Sequence, residues 1–369
     1  MSLLTLNIAS CVRVTNKFSE CRECEKYCPV ETITIDEQSV SFVPNDCVGC
    51  GGCLAVCPTD AYSLDDFSAT SFVFSHLQSG KNIISCKSDP IPCLAALSVE
   101  EMVSLTILSG NDVLFEKIHC AECSIADMNL ELIEDRVEES NFILEALGVD
   151  REIVFDDFSS PKKVDEIDEE NLSRRDFLSK ANIKDVAVAK HKFENKVKSL
   201  NEELQQHSVS TEDIKSIRAK KLPDRRKLLS MAINRLDKPE MFHKLDINDI
   251  SFISQKVIDE DSCTNCQMCY RICPTGALSS NEHGAFIAFS AIECVKCSSC
   301  HDVCEPNSIT LKSVFDVEQL FKPKKEMLIK FSIRRCDECG MPFAYRGGEV
   351  MCNRCRIEVQ EALSLWGIK

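Results

Sequence analysis

Apolar and polar positions change period several times along this chain. Thr32–Ile35 and Val40–Val43 alternate, which predicts two short strands joined by a turn. From residue 71 the pattern differs. Phe72–Phe74 and Asn82–Ser85 read as strands, Leu94–Leu108 is apolar at helical spacing, and Asp112–Ile118 is strand-like again. A helix is expected over Ile125–Leu147 and a strand at Glu152–Phe155. A β-α-β-α-β order predicts a small parallel sheet flanked by helices. Further on, Val186, Phe193, Val197, Leu200 and Leu204 fall on one helical face. Pro223 followed by Leu228, Leu229, Ala232, Ile233 and Leu236 reads as a helix with proline in its first turn. These later helices read either as packing between neighbouring domains or as an arm that docks a partner.

Composition narrows the class. The chain has 369 residues and 24 cysteines. In a long chain with metal-type spacings, so many cysteines suggest thiolate metal sites in a reducing compartment. Ligation also supplies stability that a short cysteine-rich segment cannot draw from a small core. A net charge of −16 argues against nucleic acid as the main partner, since phosphate neutralisation needs clustered Lys and Arg. It suits steering toward a basic patch on a redox partner, and it also favours solubility. No apolar run approaches the ~20 residues of a membrane span. Met1–Val12 lacks the basic start of a cleaved signal. The expected location is cytoplasmic.

The cysteines carry the chemistry. Cys263-x2-Cys266-x2-Cys269-x3-Cys273-Pro274 is answered by Cys294-x2-Cys297-x2-Cys300-x3-Cys304, with Glu305 between the last cysteine and Pro306. Three cysteines at i, i+3 and i+6 can wrap one corner of a cubane, while the fourth ligates the neighbouring cluster. One cluster then takes Cys263, Cys266, Cys269 and Cys304, and the other Cys294, Cys297, Cys300 and Cys273. Disulfides or zinc would not explain two interlocking sets. The N-terminal segment repeats the plan. Cys47-x2-Cys50-x2-Cys53-x3-Cys57-Pro58 is regular, and Gly49, Gly51 and Gly52 allow close backbone approach. The preceding half is Cys21-x2-Cys24-x3-Cys28-Pro29, with Phe18 where its first cysteine should stand. Cys11 substitutes, giving Cys11, Cys21, Cys24 and Cys57 for one cluster and Cys47, Cys50, Cys53 and Cys28 for its neighbour. The alternative leaves Cys11 a buried free thiol and that cluster three-ligated. Both segments resemble bacterial-type two-[4Fe-4S] ferredoxins. The resemblance implies the ferredoxin fold and cubane cofactors there, and reaches neither the α/β segment nor the helices.

Two further cysteine groups stand apart. Cys86 and Cys93 follow one predicted strand, and Cys120 and Cys123 follow the next. The carboxyl ends of adjacent parallel strands face one crevice, so a fifth metal site is expected. An extra [4Fe-4S] cluster, a [2Fe-2S] cluster and zinc all remain open for it, and His119 offers a substitute ligand. Cys336-x2-Cys339 and Cys352-x2-Cys355 have the pattern of a zinc ribbon, with a rubredoxin-like iron site as the alternative. Ser173-Arg174-Arg175-Asp176-Phe177-Leu178 resembles a twin-arginine export motif. It is internal, and Lys180, Lys184 and Lys190 interrupt the apolar stretch an export signal needs after its arginines. It therefore reads as surface arginines.

The expected architecture is an α+β multidomain protein. Residues 1–70 and 251–322 form ferredoxin-like 2[4Fe-4S] domains and 71–156 a small α/β parallel-sheet domain. Residues 157–250 supply an acidic linker and helices, and 323–369 a zinc ribbon. No nucleotide-binding glycine motif or Ser/His/Asp arrangement is placed. The expected function is electron relay to or from a larger oxidoreductase, such as a molybdenum or tungsten enzyme or a hydrogenase. Two readings compete with it: an assembly factor for such an enzyme, or a redox enzyme acting at Cys86, Cys93, Cys120 and Cys123.

Overall fold

A computed structural model describes residues 4–36, 39–86, 89–156 and 219–365. The acidic linker, the twin-arginine-like stretch and the helix through Val186–Leu204 lie outside the described residues.

The N-terminal segment is built from short strands and helical turns. β1 (Leu4–Leu6) pairs antiparallel with β4 (Tyr62–Leu64), and β2 (Ile33–Ile35) forms a hairpin with β3 (Val40–Phe42). Between them run α1 (Val12–Thr15), α2 (Glu23–Lys26) and α3 (Gly52–Val56). Alternation in β2 buries Ile33 and Ile35 and exposes Thr34, as the period of a strand requires.

Phe72–Phe74 corrects the sequence reading: it lies inside α4 (Ala69–Ser79). The Ser68 side chain accepts a hydrogen bond from the Ser71 backbone N–H, and Gly80 closes the helix in the left-handed region. Caps at both ends and the packing of buried Phe72, Val73 and His76 outweigh the β-propensity of Phe-Val-Phe. The remaining order holds. β5 (Ile83–Ile84), α5 (Val99–Ser109), β6 (Val113–Glu116), α6 (Ala126–Ala146) and β7 (Ile153–Asp156) form a three-stranded parallel sheet in the order β5-β6-β7.

α7 (Asp224–Ile233) comes after the undescribed stretch. Pro223 is its N-cap rather than a residue of its first turn, and Leu236 lies beyond its end. Leu228, Leu229 and Ala232 are fully buried. Leu228 joins the core shared by the N-terminal and α/β segments, whereas Leu229, Ala232 and Ile233 join a second core that α5 and α6 share with the C-terminal half. The helix is thus a wedge between two cores.

β8 (Lys244–Asp246) leads into the second cysteine-rich segment, and β9 (Lys256–Ile258) opens it. α8 (Met268–Ile272), β10 (Leu278–Ser279), β11 (Phe286–Ser290), α9 (Ser299–Asp302), β12 (Ile309–Leu311) and β13 (Val314–Asp316) come next. β9 pairs with β12 and β10 with β11, the outer-pair and inner-hairpin plan of the first segment. After α10 (Glu318–Phe321), β14 (Lys325–Lys330) adds to β11, carrying residues 325–330 into this segment's sheet. A last hairpin, β15 (Ile333–Arg335) and β16 (Pro342–Ala344), precedes α11 (Asn353–Leu365).

Candidate metal centres

Backbone conformation marks the cysteine loops. Asn265, Gln267, Lys296 and Ser298 have positive φ, as do Gly49 and Gly51 at the equivalent places around Cys50. Glu31, Asp60, Gly276 and Asn307, each three residues after a fourth cysteine, also have positive φ. These seven non-glycine positions are all those with positive φ among the described residues. Such strain persists only where surroundings impose it. Alternating left- and right-handed residues turn successive N–H groups inward, the nest that suits an anionic sulfur cluster. The Cys21 loop lacks these conformations, consistent with its irregular spacing.

The thiols gather in groups. Burial pushes Cys21 up to about 12, and nearby Cys57 and Cys24 add to the rise. Burial likewise raises Cys24 to about 11, with Cys57 and Cys11 adding. Cys11 is itself buried, while Phe18 is half exposed. Around Cys50, burial and then Cys28 and Cys47 raise the thiol, and Cys53 rises by burial with Cys50, Cys47, Cys24 and Cys28 adding. In the C-terminal half, burial lifts Cys269 to about 12, helped by Cys266, Cys263 and Cys304. Burial lifts Cys297 to about 12 as well, with Cys294 and Cys273 adding. Buried thiols crowded together resist deprotonation unless a cationic centre binds them, and the donor set fits iron–sulfur clusters.

Hydrogen bonds to sulfur repeat. The backbone N–H of Ala61 donates to Cys57 Sγ at 3.3 Å and that of Ser308 to Cys304 Sγ at 3.2 Å. Tyr62 Oη donates to Cys24 Sγ at 3.6 Å, and Ser254 Oγ lies 3.2 Å from Cys294 Sγ. One set also has a buried lysine beside it. Buried Lys256 sits beside Cys294, Cys300 and Cys297, and its Nζ is 2.8 Å from His301 Nε2. Sequence reasoning finds none of these, because Tyr62, Ser254 and Lys256 lie outside the cysteine motifs.

The α/β segment brings its four cysteines to one place. Burial raises Cys93 to about 12, with Cys50, Cys86 and Cys120 adding, and Cys120 rises by burial with Cys86 and Cys123 adding. Asn129 Nδ2 donates to Cys93 Sγ at 3.8 Å and also bonds Cys50. This group therefore abuts the Cys47–Cys53 loop. His119 is exposed in the turn that carries Cys120.

The C-terminal group is tighter. Cys336, Cys339, Cys352 and Cys355 bring their sulfurs within 4.8 Å of one another, the only such group among the described residues. Cys339 Sγ lies 3.7 Å from Cys352 Sγ. A tetrahedron with metal–sulfur bonds of ~2.3 Å has edges of ~3.8 Å, so the four fit a single ion. Backbone N–H groups, that of Cys352 foremost, lower the Cys336 thiol to about 6. Arg346 of the same segment donates to the carbonyls of Asp261, Glu260 and Cys263.

Comparison with known proteins agrees with this chemistry. Residues 19–61 match the 4Fe-4S dicluster domain and residues 256–279 the 4Fe-4S binding domain. An uncharacterised ferredoxin of Methanocaldococcus jannaschii is 33% identical over 72 residues, 19% of this chain and 84% of that protein. The pyruvate synthase subunit PorD of the same organism is 35% identical over 54 residues, 15% of this chain and 62% of that one. The ferredoxin-type protein NapH of Haemophilus influenzae is 37% identical over 71 residues, 18% of this chain and 24% of that one. No solved structure matches significantly. The chain belongs to the 4Fe-4S ferredoxin family. It is an iron–sulfur electron-transfer protein with two 4Fe-4S binding domains. Among the described residues no helix is long and apolar enough to cross a membrane.

Proposed function

We propose that the chain is a polyferredoxin relay carrying four [4Fe-4S] clusters. The ligand sets are Cys47, Cys50, Cys53 and Cys28; Cys11, Cys21, Cys24 and Cys57; Cys294, Cys297, Cys300 and Cys273; and Cys263, Cys266, Cys269 and Cys304. One observation carries this reading: neighbouring thiol groups succeed one another across the molecule. Cys93 abuts Cys50, Cys53 abuts Cys24, and Cys21 and Cys297 line one cleft between the two cysteine-rich segments. The α/β group then holds a fifth centre at one end of the path. Its exposed Cys123 leaves room for exchange with a partner there. Cys336, Cys339, Cys352 and Cys355 hold structural zinc in a ribbon that braces the Cys263 loop.

The partner is a larger oxidoreductase. Support comes from the pyruvate synthase subunit among the relatives and from the acidic charge, which suits a basic docking patch. A molybdenum or tungsten enzyme and a hydrogenase are the candidate classes, and the relay works in the cytoplasm. Anaerobic loading with iron, sulfide and zinc quantified tests the proposal. Sixteen irons in the four ferredoxin cubanes and one zinc in the ribbon are expected, with the metal of the fifth centre in addition. Two or fewer cubanes in fully loaded protein would sink it.

A further inference from the structure

We propose that Arg225, Glu100 and Arg226 are positioning residues that lock the two ferredoxin segments in the relative placement electron exchange requires. The inference rests on the relay reading above. The two arginines are consecutive at the start of α7, yet they serve opposite segments. Arg225 donates from Nη1 to Ala55 O at 2.8 Å and from Nη2 to Cys57 O. Arg226 donates from Nη1 to Ile292 O and Cys294 O, both at 2.7 Å, and from Nη2 to Phe252 O at 2.7 Å. Successive side chains on a helix diverge by ~100°, so one dipeptide can reach two neighbours.

A single carboxylate joins the pair. Arg226 Nε donates to Glu100 Oε1, and Arg225 Nε lies 3.1 Å from Oε2. Arg226 and Glu100 are 0% and 2% exposed. Burial opposes the charge on Arg225, but Asp60, Glu100 and Glu101 hold its guanidinium firmly protonated. Glu100 belongs to α5, so the first ferredoxin segment, the α/β segment and the second ferredoxin segment meet at one buried triad.

The location gives the triad its role. Its carbonyl partners include one cysteine from each side, Cys57 and Cys294. Other members of the same two proposed sets, Cys21 and Cys297, line a cleft of about 750 Å³ that Glu100 and Arg225 also line. Asn16 Nδ2 reaches Ser299 O at 3.5 Å across the same junction. A buried ion pair adds little net stability over an apolar equivalent, whereas removing one partner leaves an uncompensated charge. Its use here is registry. Fork geometry fixes two main chains against one carboxylate more tightly than apolar packing would. Exchange across the junction takes one electron from one side and adds it to the other, so no proton or co-reactant is needed.

The test uses full-length chain, loaded anaerobically and assayed first for iron and sulfide. Flash photoreduction with rapid-freeze EPR reads exchange between the segments in wild type, Arg225→Gln and Arg225→Lys. Redox titration reads the potential of the centre that includes Cys57, and small-angle scattering reads the size of the particle. Arg225→Gln is expected to keep its iron, expand, and exchange up to ~100-fold more slowly, the scale on which a misplacement of about 1 Å penalises positioned reactions. Its Cys57-side potential should fall, because a positive charge that favours the reduced form is lost. Arg225→Lys should retain that potential but regain only part of the rate. Wild-type exchange and particle size in fully loaded Arg225→Gln would overturn the inference while leaving the relay intact. Should that variant fail to load, Glu100→Gln carries the same expectation of slowed exchange and is refuted by the same result. Absence of exchange in the wild-type chain would refute the relay itself, and the junction with it.

Discussion

Gly51 shows how tightly single positions are held. It has φ of +78°, and a Cβ there would stand 2.6 Å from Ala96 Cβ of the α/β segment. Gly51→Ala should therefore cost ~1–3 kcal/mol through overpacking and left-handed strain. It should also disturb the Cys93–Cys50 contact more than the C-terminal half. Denaturant melts together with iron content per segment check this, and a neutral substitution would contradict it. Lys256 supports a second expectation. A buried cation beside Cys294, Cys300 and Cys297 favours the more negative, reduced state. Lys256→Met should lower that centre's potential by on the order of 50–100 mV and leave the N-terminal potentials unmoved in an EPR-monitored titration. Cys11 supports a third. Its Ala variant should convert or lose only the centre shared with Cys21, Cys24 and Cys57, and an unchanged EPR spectrum at unchanged iron content would show that another ligand completes it. The spacing from which the four cysteine sets are proposed is legible in the sequence, because thiolate spacing reflects cluster geometry directly. Tyr62, Ser254 and Lys256 are not, since nothing local distinguishes them from ordinary strand and loop residues.

Among the elements, α5 shows what burial does to a cap. Ser98 and Glu101 form a capping box, with Glu101 Oε2 accepting from the Ser98 N–H at 2.9 Å and from its Oγ at 2.8 Å. Burial pushes the Glu101 carboxyl up to about 7 from an ordinary 4.5. The folded state then binds the proton more tightly than the unfolded chain. This contribution to stability is full below about 4.5 and is lost as pH rises through about 7. Glu101→Gln should flatten that dependence, with a difference approaching a few kcal/mol at ~1.4 kcal/mol per pKa unit. Urea melts between pH 5.5 and 8 measure it, and a mutant–wild-type difference independent of pH would rule it out. The parallel sheet is legible in the sequence because each helix between its strands is long and apolar on its packing side. The helix over Phe72–Phe74 is not, because an apolar triplet suits either period and the capping residues Ser68 and Gly80 decide it. The role of α7 is equally hidden. Its apolar residues are plain, but the partners of Arg225 and Arg226 lie 66 to 171 residues away for several of their bonds.

At the scale of the molecule, the thiol groups run from the α/β crevice through the first ferredoxin segment, across the arginine junction and into the second. Asn129 hydrogen-bonds both Cys93 and Cys50, Cys21 and Cys297 line a common cleft, and Arg346 of the C-terminal four-cysteine segment hydrogen-bonds the Cys263 loop at the far end. On the relay proposal, segments that the sequence presents as separate become one chain of centres. Spin quantitation by EPR on full-length, anaerobically loaded and fully reduced protein tests this most directly. It should return at least four cubane spins per chain, broadened by interactions within each ferredoxin segment and across the junction between them. Two or fewer spins, or four that behave as isolated centres, would contradict it.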